Sequence, residues 1–301
     1  MSEHSDPTFL LLGLSGTGKT NFLVATDVVL DYQTEPDGLV HAGPAADRAY
    51  LQPLREKWLR GEVLEHTSRL QPPTPHHLLT KHPRSGRAAS FYVPDLAGES
   101  FESYFELRGF PAEVSARIRE AAGLCLFIHS DGSASHEVLA HPQLRELMES
   151  EDGGSDGVAG EQPKEWQIGD ACDQVKLVDL LQFVFESRKA GQPFDIAVVV
   201  SAWDLVEKMP GAAGRLTPDE YFSKHWPLLY QYLKSLPKSV RHRIFGVSAR
   251  GGGNSKEEVH RLTVEIQKPR DRIIVVDGSH RSGDISRPIR WMLGLLNENN
   301  G

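Results

Sequence analysis

A glycine-rich segment near the start of the chain has the residue types of a phosphate-binding loop. Gly13 and Gly18 enclose four residues, and Lys19 and Thr20 follow at once. Glycine lets the backbone approach an anion closely, and successive N–H groups of such a loop wrap phosphates. The lysine reaches the terminal phosphates, and the threonine hydroxyl can ligate magnesium. The predicted phosphate-binding residues are Gly13, Ser15, Gly16, Thr17, Gly18, Lys19 and Thr20. Lys19 is also a predicted catalytic residue.

A second candidate group lies at Asp95 and Gly98, directly after an apolar run. A carboxylate at such a place can hold the coordination shell of magnesium, and the glycine N–H three residues later can meet a γ-phosphate. Asp and Gly are common in loops, so the pair gains its meaning from the phosphate loop upstream. We therefore predict that Asp95 binds the metal and that Gly98 binds the nucleotide.

The elements that position these groups follow from the apolar periodicity. Residues 8–12 are predicted as a buried strand and residues 21–30 as a helix, which places the glycine-rich loop between them. Residues 76–82 and 88–93 are predicted as a hairpin closed by a Pro/Gly turn. Because Asp95 follows the second of these strands, it is expected near the end of the sheet that carries the loop.

The remaining pattern predicts an α/β chain. Helices are predicted at residues 45–64, 114–122, 175–188, 221–236 and 289–296, strands at 124–128, 196–201 and 243–247, and a second hairpin within 262–276. This alternation predicts a three-layer fold whose mostly parallel sheet is covered on both faces, with one antiparallel edge strand from the first hairpin. We predict a single domain over residues 1–301. Its insertions are expected near 31–70 and 149–173, and a C-terminal hairpin and helix near 262–297.

Composition argues against several classes of protein, while leaving room for a local basic face. A total of 33 Lys+Arg against 41 Asp+Glu gives a net charge of -8, which argues against a nucleic-acid-binding protein because phosphate neutralisation needs surplus cations. Only Cys125 and Cys172 are present, without metal-ligand spacing, and two such thiols favour a cytoplasmic protein. The apolar run at residues 9–12 is too short for a signal sequence or a transmembrane segment.

With its motifs in this order, the sequence resembles the Ras-like small GTPases of the translation-factor-related P-loop class. The segments Asp95-Leu96-Ala97-Gly98-Glu99 and Ser201-Ala202-Trp203-Asp204 make it most similar to the bacterial double-GTPase group. The resemblance implies a three-layer P-loop fold, GTP or GDP with Mg²⁺ as cofactors, and a protein partner or a second GTPase. Members of that group are predicted to accompany multi-component conflict or defence systems.

The resemblance also assigns the residues that recognise the guanine base. Asp204 matches the carboxylate that accepts from guanine N1–H and the exocyclic amine, while Ser201 stands in place of the usual Asn or Thr. Ala202 replaces the lysine whose stem packs on the base, and Trp203 offers an aromatic face for the base or ribose. The alternative is a core tryptophan beside a helix-capping aspartate. The segment Ser248-Ala249-Arg250 resembles the short Ser-Ala-Lys loop whose backbone N–H supports the guanine carbonyl, and Ser248 and Ala249 are the predicted binding residues.

The switch residues are assigned in the same way. Thr74, just before the hairpin, stands where the family keeps a threonine on magnesium and the γ-phosphate, and Thr67 and Thr80 are competitors. Glu99 occupies the position of the glutamine that orients the attacking water. A carboxylate accepts from water but cannot donate as an amide does, so we expect slow hydrolysis. Arg69 is a candidate for a transition-state cation, or a solvated charge.

Three functions from different classes remain open at this point. The first is a slow GTPase switch in which γ-phosphate contacts to Thr74 and Gly98 order two loops that a partner recognises. The second is an ATPase or nucleotide kinase that uses the same phosphate loop. The third is a nucleotide-stabilised interaction module with little hydrolysis. Guanine binding separates the first from the second, and turnover separates the first from the third.

Overall fold

The computed structural model describes residues 6–32, 38–43, 49–64, 76–93, 99–131, 171–189, 191–211, 213–253, 255–266 and 268–296. Its strands are β1 (Thr8–Gly13), β2 (Val40–His41), β3 (His76–Lys81), β4 (Ala88–Val93), β5 (Gly123–His129), β6 (Phe194–Ser201), β7 (Val240–Ser248), β8 (Ile274–Asp277) and β9 (His280–Ser282). Its helices are α1 (Lys19–Asp31), α2 (Gln52–Leu59), α3 (Glu99–Glu106), α4 (Ala112–Glu120), α5 (Asp173–Ser187), α6 (Trp203–Glu207), α7 (Pro218–His225), α8 (Pro227–Ser235), α9 (Lys256–His260) and α10 (Arg287–Met292).

Within these residues the strands form one sheet in the order β2-β3-β4-β1-β5-β6-β7-β8-β9. Five neighbouring strands run parallel to one another, in the order β4-β1-β5-β6-β7. The carboxyl ends of these strands therefore lie on one side of the sheet, which is where ligands of open α/β sheets bind. On this side, β1 ends at Gly13, β6 at Ser201 and β7 at Ser248.

Helices cover both faces of the sheet, as the alternation of side chains in β1 shows. Phe9 and Leu11 pack on the same side as α1 and α10, whereas Leu10 and Leu12 pack on the side of α4, α5 and α7. Residues 196–200 of β6 are all fully buried, as expected for a strand covered on both faces. The predicted α/β three-layer fold is confirmed, and the single-domain assignment with its insertions stays a prediction.

The sheet has more antiparallel strands than predicted. β3 pairs antiparallel with β4 as expected, but β2 extends that edge, and β8 and β9 form an antiparallel hairpin at the opposite edge. The second predicted hairpin is wrong in its first half, because Leu262 lies in the π-helical turn Arg261–Glu265. The partner of β8 follows it in sequence instead, after a turn at Gly278, which has a φ of 59°.

Three predicted helices have different limits, and the first of them, predicted at residues 45–64, is α2, which ends at Leu59. The helix predicted over 221–236 is two helices, since Pro227 lacks a backbone N–H and can only stand in the first turn of a new helix. The helix predicted at 289–296 is α10, which ends at Met292 before the left-handed Gly294.

Cys125 and Cys172 are both free thiols, and burial inside β5 raises the pKa of Cys125. None of the described helices combines the length and apolarity needed to cross a lipid bilayer.

Candidate nucleotide-binding site

The glycine-rich loop joins β1 to α1 and is closed by its own side chains. Gly16 and Gly18 have φ values of 74° and 88°, in the left-handed region that side chains disfavour. Lys19 Nζ donates to the carbonyl oxygens of Gly13 and Leu14 at 2.7 and 2.8 Å, and its side chain is buried. The ammonium therefore lies across the loop, at the N-terminus of a helix where an anion is favoured.

Close packing fixes the start of the loop. A Cβ at Gly13 would lie 2.6 Å from the carbonyl oxygen of Phe127 in β5, and 2.9 Å from Thr17 Oγ1. The Thr17 hydroxyl donates to the Leu14 carbonyl at 2.8 Å. A side chain at position 13 would therefore collide with the neighbouring strand β5 as well as with the loop itself. Thr20 is half-buried in the first turn of α1, where its hydroxyl can serve a metal ion.

The predicted base-reading residues meet in a buried hydrogen-bond chain. Ser248 Oγ donates to Asp204 Oδ1 and accepts from the N–H of Gly251 at 3.1 Å. Asp204 is 6% exposed and sits in the first turn of α6, and Lys208 Nζ lies 3.7 Å from its Oδ2. The carboxylate is held in place by the last residue of β7, although 44 residues separate it from Ser248.

A single cleft of about 170 Å³ connects the loop to the base-reading residues. Gly16, Gly18 and Asn21 line it from the phosphate side, and Ser201, Ala202, Asp204, Ser248, Ala249 and Arg250 line it from the other side. The Ser201 hydroxyl is buried and has no hydrogen-bond partner among the described residues. Ser201 also lies beside the loop, because a Cβ at Gly18 would be 3.2 Å from Ser201 Cβ. This hydroxyl is a polar group that a bound nucleotide could satisfy.

The prediction that the Trp203 ring covers the base or ribose is wrong. The side chain is 2% exposed and does not line the cleft. Its indole occupies the space beside Gly246 of β7 and meets the ring of Tyr221 edge-on, with centroids 5.5 Å apart. Trp203 is therefore a core residue that fixes α6, and through α6 the position of Asp204.

This packing makes Gly246 a sensitive position. A Cβ there would lie 2.2 Å from Trp203 Cδ2, so we expect Gly246→Ala to lower the free energy of unfolding by roughly 1–3 kcal/mol through overpacking. Urea unfolding measures the change. Gly109→Ala is the matched control, since a Cβ at Gly109 has nothing within 4 Å. Equal loss in the two variants would contradict the packing argument.

The sequence-based assignment missed several residues of the cleft. Arg250 lines it and donates through Nη2 to the Gly61 carbonyl at the end of the α2 segment. Burial lowers the pKa of Arg250, and its Nε has no partner among the described residues. His129 also lines the cleft at the end of β5, where its Nδ1 accepts from the N–H of Asp131 at 2.9 Å. Arg250 is the third residue of the motif Ser248-Ala249-Arg250, and that place in the sequence is the signal that points to it.

The switch residues are placed only in part. Thr67, Arg69, Thr74, Asp95 and Gly98 lie outside the described residues. Glu99 is the first residue of α3. The competitor Thr80 is excluded, because it is fully buried in β3 opposite Ala89, and that end of the hairpin adjoins the start of β1. Thr20 is the predicted metal ligand that the structure describes.

A separate polar cluster at the end of α1 is occupied by an arginine side chain. Asp27 and Asp31 both pair with Arg55 of α2, and His41 Nε2 lies 3.1 Å from Asp31 Oδ1. The Asp27 side chain is fully buried. The guanidinium takes the place that a metal ion would need, so the cluster anchors α2 and β2 on α1.

A family model described as Double-GTPase 1 matches residues 10–292. Two similar solved structures are a signal recognition particle receptor SRb-GTP/SRX complex from Chaetomium thermophilum and a bacterial selenocysteine-specific elongation factor EF-Sec. The first has a TM-score of 0.36 and 11% sequence identity, and the match covers 84% of this chain and 94% of the other chain. The second has a TM-score of 0.34 and 13% sequence identity, and the match covers 87% of this chain and 29% of the other chain. No curated protein matches. With the family model spanning nearly the whole length, the chain belongs to the Double-GTPase 1 family.

Proposed function

We propose that this protein binds GTP or GDP in the cleft between the glycine-rich loop and Asp204, and that it hydrolyses GTP slowly with Mg²⁺. The observation that carries the proposal is the single cleft that joins Gly16 and Gly18 to the Asp204–Ser248 pair. A phosphate chain at the loop and a purine at the other end would together span this cleft. Family membership supports guanine as the base.

The residues present suit a nucleotide with its metal. Magnesium, when bound, neutralises charge on the β- and γ-phosphates. The proposed ligands of the ion are Thr20, Thr74 and Asp95, and the backbone N–H of Gly98 is assigned to the γ-phosphate. The loop N–H groups and the Lys19 ammonium bind and orient the phosphates at the N-terminus of α1. Asp204, as a buried carboxylate, accepts from the two guanine donors, a pair that adenine does not present.

Hydrolysis is proposed to be slow because of Glu99. In the family position of the water-orienting group, a carboxylate accepts a proton from water but lacks the amide donor, and it adds negative charge next to phosphate oxygens. A cation from a partner protein or a second GTPase would offset that charge in the transition state. The protein would then act as a nucleotide-dependent switch for that partner, in the cytoplasm and in a bacterial conflict or defence setting.

The test is equilibrium binding of non-hydrolysable GTP and ATP analogues with Mg²⁺. Tight binding of the GTP analogue, and at least about tenfold weaker binding of the ATP analogue (roughly 1.4 kcal/mol), is the expected result. Equal or tighter binding of the ATP analogue would reject guanine recognition and favour the ATPase. Binding of GTP without measurable turnover would favour the interaction module.

A variant at Glu99 tests the origin of the slow rate. We expect Glu99→Gln to raise the single-turnover rate of GTP hydrolysis about tenfold, roughly 1.4 kcal/mol of barrier, because the amide restores a donor and removes a charge. Glu106→Gln, at the other end of α3, makes the same change in charge and is the control. A rate for Glu99→Gln at or below that of the unmodified protein would contradict the role of Glu99.

A further inference from the structure

A second and larger cleft lies outside the nucleotide-binding site and shares no lining residue with it. It has a volume of about 870 Å³, within the range of small-molecule sites. Its walls are the end of α1, the turn Pro269–Arg272, β9 and the start of α10. We call it the basic cleft, after the side chains Lys268, Arg270, Arg281, Arg287 and Arg290 that line it.

The charge of the basic cleft is opposite to that of the whole protein. Five basic side chains face two carboxylates, Asp271 and Asp284, so the lining has a formal charge of +3, while the chain carries -8. Carboxylates behind the wall reduce this excess without removing it, because Glu207 pairs with Arg281 while Asp277 is shared between Arg243 and Arg287. A concave surface of one sign concentrates the electric field and attracts counter-ions.

The guanidinium groups are held in fixed orientations. Glu207 binds Arg281 through two hydrogen bonds of 2.8 and 3.1 Å, and Asp284 accepts from Arg290 Nη1 at 2.8 Å. The Nε of Arg290 is buried and has no hydrogen-bond partner among the described residues. Each of these guanidinium groups uses some of its N–H donors on protein carboxylates and retains others. Oriented guanidinium donors of this kind suit phosphate oxygens.

The cleft also has an apolar part. Val28, Val29 and Ile273 are buried residues of its lining, and Tyr32 is 62% exposed. A large exposed aromatic side chain at a basic cleft provides a face on which a planar group can stack. An inorganic ion would leave this face unused, whereas a molecule with both a phosphate and a planar group would use both parts.

We propose that the basic cleft binds a small phosphorylated molecule whose phosphate contacts the arginines and whose planar group stacks on Tyr32. The site is distinct from the nucleotide cleft, and its occupant is a separate ligand. Lys268 is exposed at the rim and has no ion pair within the described residues, and Arg270 Nε lies 3.8 Å from the carboxylate of its neighbour Asp271. These two cations can be changed without breaking the buried ion pairs of Arg287.

The experiment measures binding of inorganic tripolyphosphate and phenyl phosphate by calorimetry, in EDTA and at about 0.15 M salt. The Lys268→Glu/Arg270→Glu double variant should weaken tripolyphosphate binding at least tenfold. The control is Lys224→Glu/Lys238→Glu, which changes the net charge equally at two exposed positions and should bind as the unmodified protein does. Tyr32→Ala should weaken phenyl phosphate alone. A milder double variant, Lys268→Gln/Arg270→Gln, should shift affinity in the same direction if the charge reversal prevents folding.

Each other outcome overturns the proposal. Absence of saturable binding, or equal loss in both charge-reversal variants, would show that no specific phosphate site exists in this cleft. Binding lost in Lys19→Ala but retained in Lys268→Glu/Arg270→Glu would place it at the glycine-rich loop, a result that leaves the proposed nucleotide binding intact. Tighter binding of hexaglutamate than of either phosphate compound would identify an acidic peptide as the ligand class instead. An unchanged phenyl phosphate affinity in Tyr32→Ala would reject the planar group.

Discussion

Replacing Lys19 by alanine is expected to weaken GTP binding by about a thousandfold, roughly 4 kcal/mol. The ammonium is 3% exposed and lies between two loop carbonyls, at the point where the phosphate chain would enter. Hydrogen bonds to charged groups contribute about 1.5–3 kcal/mol each, and they are stronger where water is excluded. Alanine removes that charge and also leaves the carbonyls of Gly13 and Leu14 without their donor.

Fluorescence titration with a labelled GTP analogue measures this loss. Lys238→Ala is the control, since Lys238 is an exposed lysine in the turn before β7 and should bind the analogue normally. Thermal unfolding of Lys19→Ala without nucleotide separates loss of binding from loss of fold. An affinity within threefold of the unmodified protein would mean that the glycine-rich loop is not where the phosphates bind.

The sheet and the loop could be predicted because their signals are local in sequence. The uninterrupted apolar runs that became β1, β5 and β6 are typical of strands buried on both faces, and the loop motif occupies only eight residues. The resemblance alone assigns Asp204 and Ser248 to recognition of the same base, and it does not predict the hydrogen bond between them. The parallel register of β6 and β7 then brings the two strand ends together, which no local pattern indicates.

Contacts between distant segments could not be predicted. Arg250 meets the carbonyl of Gly61, 189 residues earlier, and Arg272 donates to the carbonyl oxygens of Trp58 and Leu59 at 3.2 Å. These contacts add side-chain donors to the carbonyl oxygens at the end of α2 and attach that helix to the base-reading loop. The pairing depends on which helix end packs beside β7, and the residue types near Arg250 do not specify it.

The orientation of Trp203 shows the same limit at short range. A tryptophan beside a base-reading aspartate can face either a ligand or the core, and its own neighbours in sequence do not distinguish the two. The decisive residue is Gly246 on the next strand, whose missing side chain leaves the space that the indole fills. Pro227 is a local signal for a break in the helix, because a proline rarely continues a helix. The apolar periodicity on both sides of it nevertheless predicts one continuous helix.

Asp204→Asn is expected to change the preference for GTP over XTP by about a thousandfold, roughly 4 kcal/mol. Guanine offers the N1–H and amine donors to the carboxylate, and the amide NH₂ of asparagine would oppose the amine donor. Xanthine has a carbonyl acceptor at the place of the amine, which the same NH₂ can satisfy. We expect GTP to bind about a hundredfold more weakly and XTP about tenfold more tightly. The amide oxygen can still accept from Ser248 Oγ, so the change leaves the buried serine paired.

Competition of GTP, XTP and ATP for one labelled analogue measures these affinities on a single protein. Asp219→Asn is the control, because it removes the same charge from an exposed carboxylate at the start of α7. Loss of the 3.7 Å pair with Lys208 should contribute little, since that lysine is 54% exposed and solvent screens it. A uniform loss of all three nucleotides would mean that Asp204 supports the fold of the cleft without reading the base. A gain confined to XTP would show that a carboxylate held by Ser248 selects guanine even though Ala202 supplies no lysine stem beneath it.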